Sequence, residues 1–339
     1  MKAALLHEGG DLRIEETATP AADGWALVES RCAGVCGTEL HFVDGMIPPP
    51  AYPFQLGHES AGVVLEAPPG SPVAPGERVA VYNMVGCGSC LPCRSGRESL
   101  CTNPVGQLGF TLPGTFADVV RVPADNLVRL PNSVSFEAAA LLSCSGMSAV
   151  HACRLADVGL GDVVLVDGIG GVGTMALQVA FAAGARVIAI ADSEERGELA
   201  VALGASDSIV LEGGRGYDGL PDRVRELTGP DGATHYIELV GTTETYLAGI
   251  RSLGHGGKLV IIGYTDQHLD LHPIELILKE IEIVSSVAAS RRDLVAAVDL
   301  AAAGRIQVTV DTRYPIDDLG VALDRLRARQ VRGRNVLVW

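Results

Sequence analysis

The 339-residue chain exceeds what one hydrophobic core usually fills, since domains most often run to roughly 100 to 150 residues, so two domains are expected. Hydrophobic residues make up 47% and charged residues 20%, the balance of a packed globular protein rather than a disordered one. A net charge of −15 with no Lys/Arg-rich stripe to relieve it excludes nucleic acid and anionic membranes as partners.

The run Met1 to Leu6 is too short for a signal peptide, and no segment approaches the ~20 apolar residues of a membrane span. A cytoplasmic protein is the expectation. In that compartment the eight cysteines read as metal ligands or catalytic groups rather than disulfides.

Through about residue 140 the chain is rich in Gly, Pro and short β-type runs, at 25–30, 61–66, 78–82 and 117–122. Turn signals such as Pro69-Gly70 and Pro75-Gly76 separate them, which predicts an irregular, barrel-like β domain. Inside it lie Gly34-Val-Cys36-Gly-Thr38-Glu-Leu-His41 and Gly57-His58-Glu59-Ser-Ala-Gly62. These supply zinc-ligand types, and Cys144, in Leu142-Ser-Cys-Ser-Gly146, offers a third ligand. Two Cys and one His leave a coordination position open, the composition of a zinc site that must bind substrate. Glu59 reads as a supporting group or an occasional ligand holding the open position. Cys32 and Cys153 lie in apolar runs without ligand spacing and read as core residues.

Between these motifs Cys87, Cys90, Cys93 and Cys101 crowd into one short segment. Two-residue gaps let successive sulfurs turn back on one ion, and Gly86, Gly88 and Gly96 permit the turns. A closed, structural Cys₄ zinc is expected, with Arg94 and Arg97 offsetting excess thiolate charge.

From about residue 162 the texture changes. Apolar strands at 162–167, 186–191, 234–240 and 258–263 alternate with helical stretches at 172–183, 194–203 and 243–253, the pattern of βαβ units around a parallel sheet. The first strand runs into Gly168-Ile-Gly170-Gly171-Val172-Gly173 and then a helix stopped by Gly184. Such glycines let the backbone approach a pyrophosphate whose charge the helix N-terminus meets. At the tip of the second strand stand Ala191 and Asp192. Asp192 suits a ribose 2′-hydroxyl, and neither 192 nor 193 is basic, which favours NAD over NADP, although Arg196 is close by. The tail carries a helical stretch at 317–328 and a closing strand at 335–338.

Together the Cys36 to His41 motif, Gly57-His58-Glu59, the four-cysteine segment, Cys144-Ser-Gly, the Gly168 to Gly173 turn and Arg332-Gly-Arg334 resemble the zinc-containing medium-chain dehydrogenases, the alcohol dehydrogenase family. The resemblance spans nearly the whole chain. It implies an α/β protein made of a GroES-like β-rich catalytic domain, residues 1–148 and 287–339, and a doubly wound parallel-sheet Rossmann domain, residues 149–286, with the active site in the cleft between them. It also implies two zincs per subunit, one catalytic and one structural, a homodimer or homotetramer, and Arg334 near the cofactor pyrophosphate. Thr38 and His41 occupy the family's proton-relay positions, the proton passing by way of the cofactor ribose.

Two departures from the family pattern stand out. The family's NAD-selecting Asp aligns with Ala191, and the Glu that polyol and threonine dehydrogenases carry as third ligand is here Cys144. The expected function is hydride transfer between a primary or secondary alcohol, or its carbonyl, and NAD(P). A polyol or amino-alcohol dehydrogenase is one alternative, and a non-catalytic zinc- and nucleotide-binding structural or regulatory protein is another. Zinc-free quinone or enoyl reductases would have no use for the ligands. The loop at 42–54, with Met46, Ile47 and three prolines, argues for a hydrophobic substrate.

Overall fold

The computed structural model describes residues 1–339. The chain divides into two units: Met1–Met147 with Ala289–Gly304 and Val308–Trp339, and Ser148–Ala288 with Arg305–Gln307. The return of 305–307 to the second unit has no counterpart in the sequence-derived boundaries. It is held there by Gln178, whose Nε2 donates to the carbonyl of Gln307 (3.0 Å) and whose Oε1 accepts from the Gln307 N–H (2.8 Å). No helix is long and apolar enough to cross a membrane.

One long strand, Ala26–Val35, organises the first unit and is buried along almost its whole length. Ser60–Glu66 pairs antiparallel along one edge. The other edge is shared by Val119–Val122, against residues 26–29, and by the C-terminal strand Arg334–Val338, against residues 32–35. Register shifts after Leu27 and after Ser30 bend the strand, as extra residues in a ladder do. Arg31 and Gly34 interrupt the sequence pattern, so the strand expected at 25–30 comes out five residues short at its far end. The added length matters because Cys36 is the first residue beyond it, and Asn335 pairs with Val35 so that Arg334 emerges beside Cys36. Phe42 and Phe54 are core, Ile47 packs against them, and Met46 and Tyr52 are exposed.

In the second unit six parallel strands stand in the order Asp207–Val210, Arg186–Ala191, Val163–Asp167, Ala233–Glu238, Leu253–Ile261 and Glu282–Ser285. In chain order that is 3-2-1-4-5-6, the doubly wound arrangement whose ligands sit at the carboxyl ends of the strands where the order reverses. Residues 163–166 and 187–191 read as unbroken apolar runs because their strands lie buried between neighbours. The outer strands Asp207–Val210 and Glu282–Ser285 are short and partly exposed, and their composition carries no such signal.

At the end of the first strand Asp167 is 1% exposed and accepts from Tyr236 Oη (2.6 Å) and Tyr217 Oη (3.0 Å). Burial pushes its carboxyl up to about 7 against the lowering effect of these two hydroxyls, with Glu238 and Asp192 adding to the rise. An unfolded aspartate titrates near 3.9, so the folded state binds the extra proton between about pH 4 and 7. The stability this supplies is complete below that range and falls as pH rises through 7. Asp167→Asn keeps the shape and removes the titration. Its thermal midpoint should therefore gain on the wild type's between pH 5 and pH 8, and parallel pH profiles would exclude a titrating Asp167.

Candidate metal centres and dinucleotide turn

The four-cysteine segment closes on itself. All four sulfurs lie within 4.8 Å of one another, and Cys90 Sγ is 3.7 Å from Cys101 Sγ. Zn–S bonds of about 2.3 Å in a tetrahedron put sulfurs about 3.8 Å apart, so the donor set and its spacing fit a zinc ion. Local chain geometry builds this arrangement. Gly88 and Gly96 adopt positive φ, and a Cβ on Gly86 would stand 2.9 Å from Cys93 Sγ. The Ser89 hydroxyl, with the backbone N–H groups of Cys90 and Ser89, brings Cys87 down to about 5, which favours its ligating thiolate form.

The second group converges from distant positions. The ligand atoms of Cys36, His58, Glu59 and Cys144 also lie within 4.8 Å of one another, and no exposed acid takes part. Cys36 is the N-cap of the helix Gly37–Val43, and its N–H donates to Glu39 Oε2 at 2.9 Å. The other oxygen of Glu39 lies 2.7 Å from His58 Nδ1. A carboxylate there keeps the ring proton on Nδ1 and turns the Nε2 lone pair toward the cluster, the usual outer support of a metal-bound histidine. Asn83 Nδ2 donates to the His58 carbonyl (3.1 Å), and Phe110 meets the imidazole edge-on at 5.4 Å. Cys144 sits in a π-helical turn, Leu142–Gly146, following the helix Phe136–Leu141. Such one-residue expansions re-aim a side chain within a helix and recur at functional sites.

Charge is concentrated here. Glu59 is fully buried; Arg334 Nη2 donates to its Oε1 at 2.5 Å and lies 3.9 Å from Cys144 Sγ. Glu59 Oε2 has no hydrogen-bond partner, an orphaned buried acceptor of the kind a cation satisfies. Burial raises the Glu59 carboxyl to about 8 although Arg334 opposes it. Cys36 is held below the ordinary thiol range by its hydrogen bond with Cys144, whose own thiol is raised by the same contact. Burial lowers the His58 ring, but Glu39 and Cys36 outweigh it and the net shift is upward. Two thiols, an imidazole and an orphaned carboxylate oxygen are thus ready to exchange protons for a divalent metal, and the donor set fits zinc. Arg334, which the resemblance puts near a pyrophosphate, is in this structure committed to Glu59. Of the relay positions, Thr38 Oγ1 lies 3.7 Å from Cys36 Sγ, and His41 is in the last turn of the same helix, partly buried.

In the second unit Gly170 caps the helix Gly171–Ala182, with open space where its Cβ would be. Gly168 has φ +100°, and a Cβ on Gly173 would lie 1.9 Å from the Gly168 carbonyl oxygen, so neither position tolerates a side chain. Gly171 and Val172 form the first turn, their N–H groups free of helical partners. Such a turn fits the pyrophosphate of a dinucleotide. Asp192 directly follows the strand Arg186–Ala191 and pairs with Arg196 Nη1 at 3.2 Å.

Sequence reasoning passed over Glu39 and Asn83. Glu39 had a signal, since it stands three residues after an N-cap as in a capping box; Asn83 had none.

Residues 22–132 match the family model described as an alcohol dehydrogenase GroES-like domain, and residues 171–303 match a zinc-binding dehydrogenase model. An alcohol dehydrogenase of Geobacillus stearothermophilus is 32% identical over 342 residues, covering 99% of each chain. Among solved structures, that of AibC is 35% identical with a TM-score of 0.93, covering 100% of this chain and 95% of the other. The alcohol dehydrogenase of Aeropyrum pernix is 33% identical with a TM-score of 0.90, and both chains are covered in full.

Glu39→Ala would unfasten both the His58 ring and the Cys36 N–H. It should weaken metal retention at the Cys36/His58/Cys144 group roughly 10- to 100-fold, the usual effect of losing such a support. Competition with a chromophoric chelator measures it, with the four-cysteine site as internal reference. Unchanged retention would deny Glu39 this role.

Proposed function

This chain belongs to the zinc-dependent medium-chain alcohol dehydrogenases and is an oxidoreductase acting on an alcohol or its carbonyl partner; on that premise we propose that Cys36, His58 and Cys144 form its catalytic centre, with Thr38 and His41 handling the proton. The observation that carries this reading is the convergence of these three ligand atoms, drawn from separate parts of the chain and supported by Glu39.

A bound zinc supplies Lewis acidity that lowers the pKa of a substrate hydroxyl, and a bound nicotinamide supplies the hydride acceptor or donor. The chain does the rest. Cys36 and Cys144 contribute thiolates, and His58 contributes Nε2 while Glu39 holds Nδ1. Glu59, already shared with Arg334, balances charge beside them and is the spare oxygen ligand. The Thr38 hydroxyl accepts the substrate proton at Oγ1 as it gives its own proton onward, and His41 exchanges the relayed proton with water, a role suited to an imidazole. Cys87, Cys90, Cys93 and Cys101 hold a second, structural zinc, which makes two per chain.

For the cofactor, Gly168, Gly170, Gly171, Val172 and Gly173 cradle the pyrophosphate. Asp192 accepts from the ribose 2′-hydroxyl, which favours NAD over NADP; Arg196 neutralises part of its charge and so tempers the preference. A homo-oligomer is supported by the exposed edge strand Glu282–Ser285, with Ile277, Leu278 and Val287 exposed in the same stretch of chain. Light scattering that found only a 35.3 kDa species would rule it out. The apparatus kept at 36, 38, 41, 58 and 144 gives no support to a non-catalytic protein. Cys144 in place of Glu weighs against a polyol substrate.

One assay tests the reading: reduction of NAD and NADP with simple alcohols, diols and amino alcohols, by the wild type and by Thr38→Ala. The expectation is turnover of simple alcohols, a higher kcat/KM with NAD, and a Thr38→Ala kcat lower by roughly 10²-fold or more at unchanged zinc content. An unaffected Thr38→Ala would remove Thr38 from the proton path, and a preference for diols would restore the polyol alternative.

A further inference from the structure

Two fully buried serines flank Cys144, and their hydrogen bonds differ. Ser145 Oγ donates to the Leu141 carbonyl (2.9 Å) and makes no other bond. Ser143 Oγ donates to the Ala140 carbonyl (2.7 Å) and also accepts the backbone N–H of Ser60 (3.2 Å). Both hydroxyls thus back-bond onto the helix that leads into the widened turn, satisfying its last carbonyls as Ser and Thr do in helices. Only Ser143 reaches outside it.

What it reaches is the first residue of the strand Ser60–Glu66, just after His58 and Glu59. Ser60 is 2% exposed and directly follows His58-Glu59, and its N–H has no water to turn to. The preceding carbonyl, of Glu59, accepts from Gly34 N–H (3.0 Å). The segment around His58 is therefore held on one side by the strand leading to Cys36 and on the other by the turn leading to Cys144. A hydroxyl is the smallest side-chain group that can donate to one segment and accept from another at the same time. The link spans 83 residues of sequence through a single oxygen.

We infer that Ser143 is a positioning residue: its hydroxyl fixes the separation between Cys144 and His58, so that the two ligands meet one metal ion without rearrangement. This rests on the assignment of Cys36, His58 and Cys144 as the catalytic zinc ligands. A helix turn and a strand end joined only by packing have freedom to slide by fractions of an ångström. Metal sites are sensitive to shifts of that size.

The test compares Ser143→Ala with Ser145→Ala in enzyme purified with its metals. Each variant loses one buried hydroxyl and one back-bond, but only Ser143→Ala breaks the link to Ser60. Zinc release to an excess of chelator is followed by absorbance, with the thermal midpoint recorded in parallel. Ser143→Ala should start with the wild-type zinc content and lose one equivalent roughly ten-fold faster than Ser145→Ala, the four-cysteine equivalent leaving at the wild-type rate. Equal release from the two variants overturns the inference. So does accelerated loss of both equivalents from Ser143→Ala, which would mean general destabilisation. Cys144→Ala separates the premise from the inference: if it retains the full wild-type zinc content, the ligand assignment fails whatever the serine variants do.

Discussion

Charge buried without water has to be matched by charge or hydrogen bonds, and this requirement shapes the first unit more than any other. Glu39, His58, Glu59 and Arg334 are all nearly inaccessible, and two thiols lie among them. An unpaired ion in such surroundings is worth several kcal/mol of destabilisation, and breaking a buried pair typically about 3–5 kcal/mol. The chain meets the requirement with groups brought from far apart in sequence. Glu39 serves His58 and Cys36 at once, and Arg334 serves Glu59 from the other end of the protein. Even a glycine is enlisted: a Cβ on Gly34 would lie 2.0 Å from Glu59 Oε2, so a side chain there would displace the carboxylate.

The two units answer to different physics. In the second, parallel strands buried among their neighbours need only be apolar, and the glycine turn follows from the path between strand and helix. That unit is written in local patterns. The first unit depends on one strand, Ala26–Val35, that changes partner halfway along its edge, and on a π-turn that aims Cys144. Neither has a periodicity that marks it.

This difference explains what the amino-acid sequence discloses. Residue types and short spacings pick out Cys36, His58, Cys144, the four-cysteine segment and the glycine turn, because ligands and tight turns require particular side chains. The central strands of the parallel sheet are equally plain, since residues 163–166 and 187–191 are all apolar. The outer strands at 207–210 and 282–285 are hidden because a half-exposed strand need not be apolar. The second half of Ala26–Val35 is hidden because Arg31 and Gly34 look like an ending, when pairing with the C-terminal strand supplies the hydrogen bonds. Asn83 and the link from Ser143 to Ser60 belong to tertiary structure alone. Each is an ordinary polar residue until the backbone opposite it is known.

The distance along the chain between Glu59 and Arg334, 275 residues, also bears on biosynthesis. During synthesis domains fold as they emerge, N-terminal parts first. The four-cysteine segment can close once residue 101 has left the ribosome. The Cys36 group meets its guanidinium only after Arg334 has been added and the strand Arg334–Val338 has paired with residues 32–35, and until then Glu59 lacks that partner. Assembly of the two groups is therefore staggered in time. The four-cysteine segment can order early through local contacts, whereas the group around Cys36 waits for a partner 275 residues beyond Glu59.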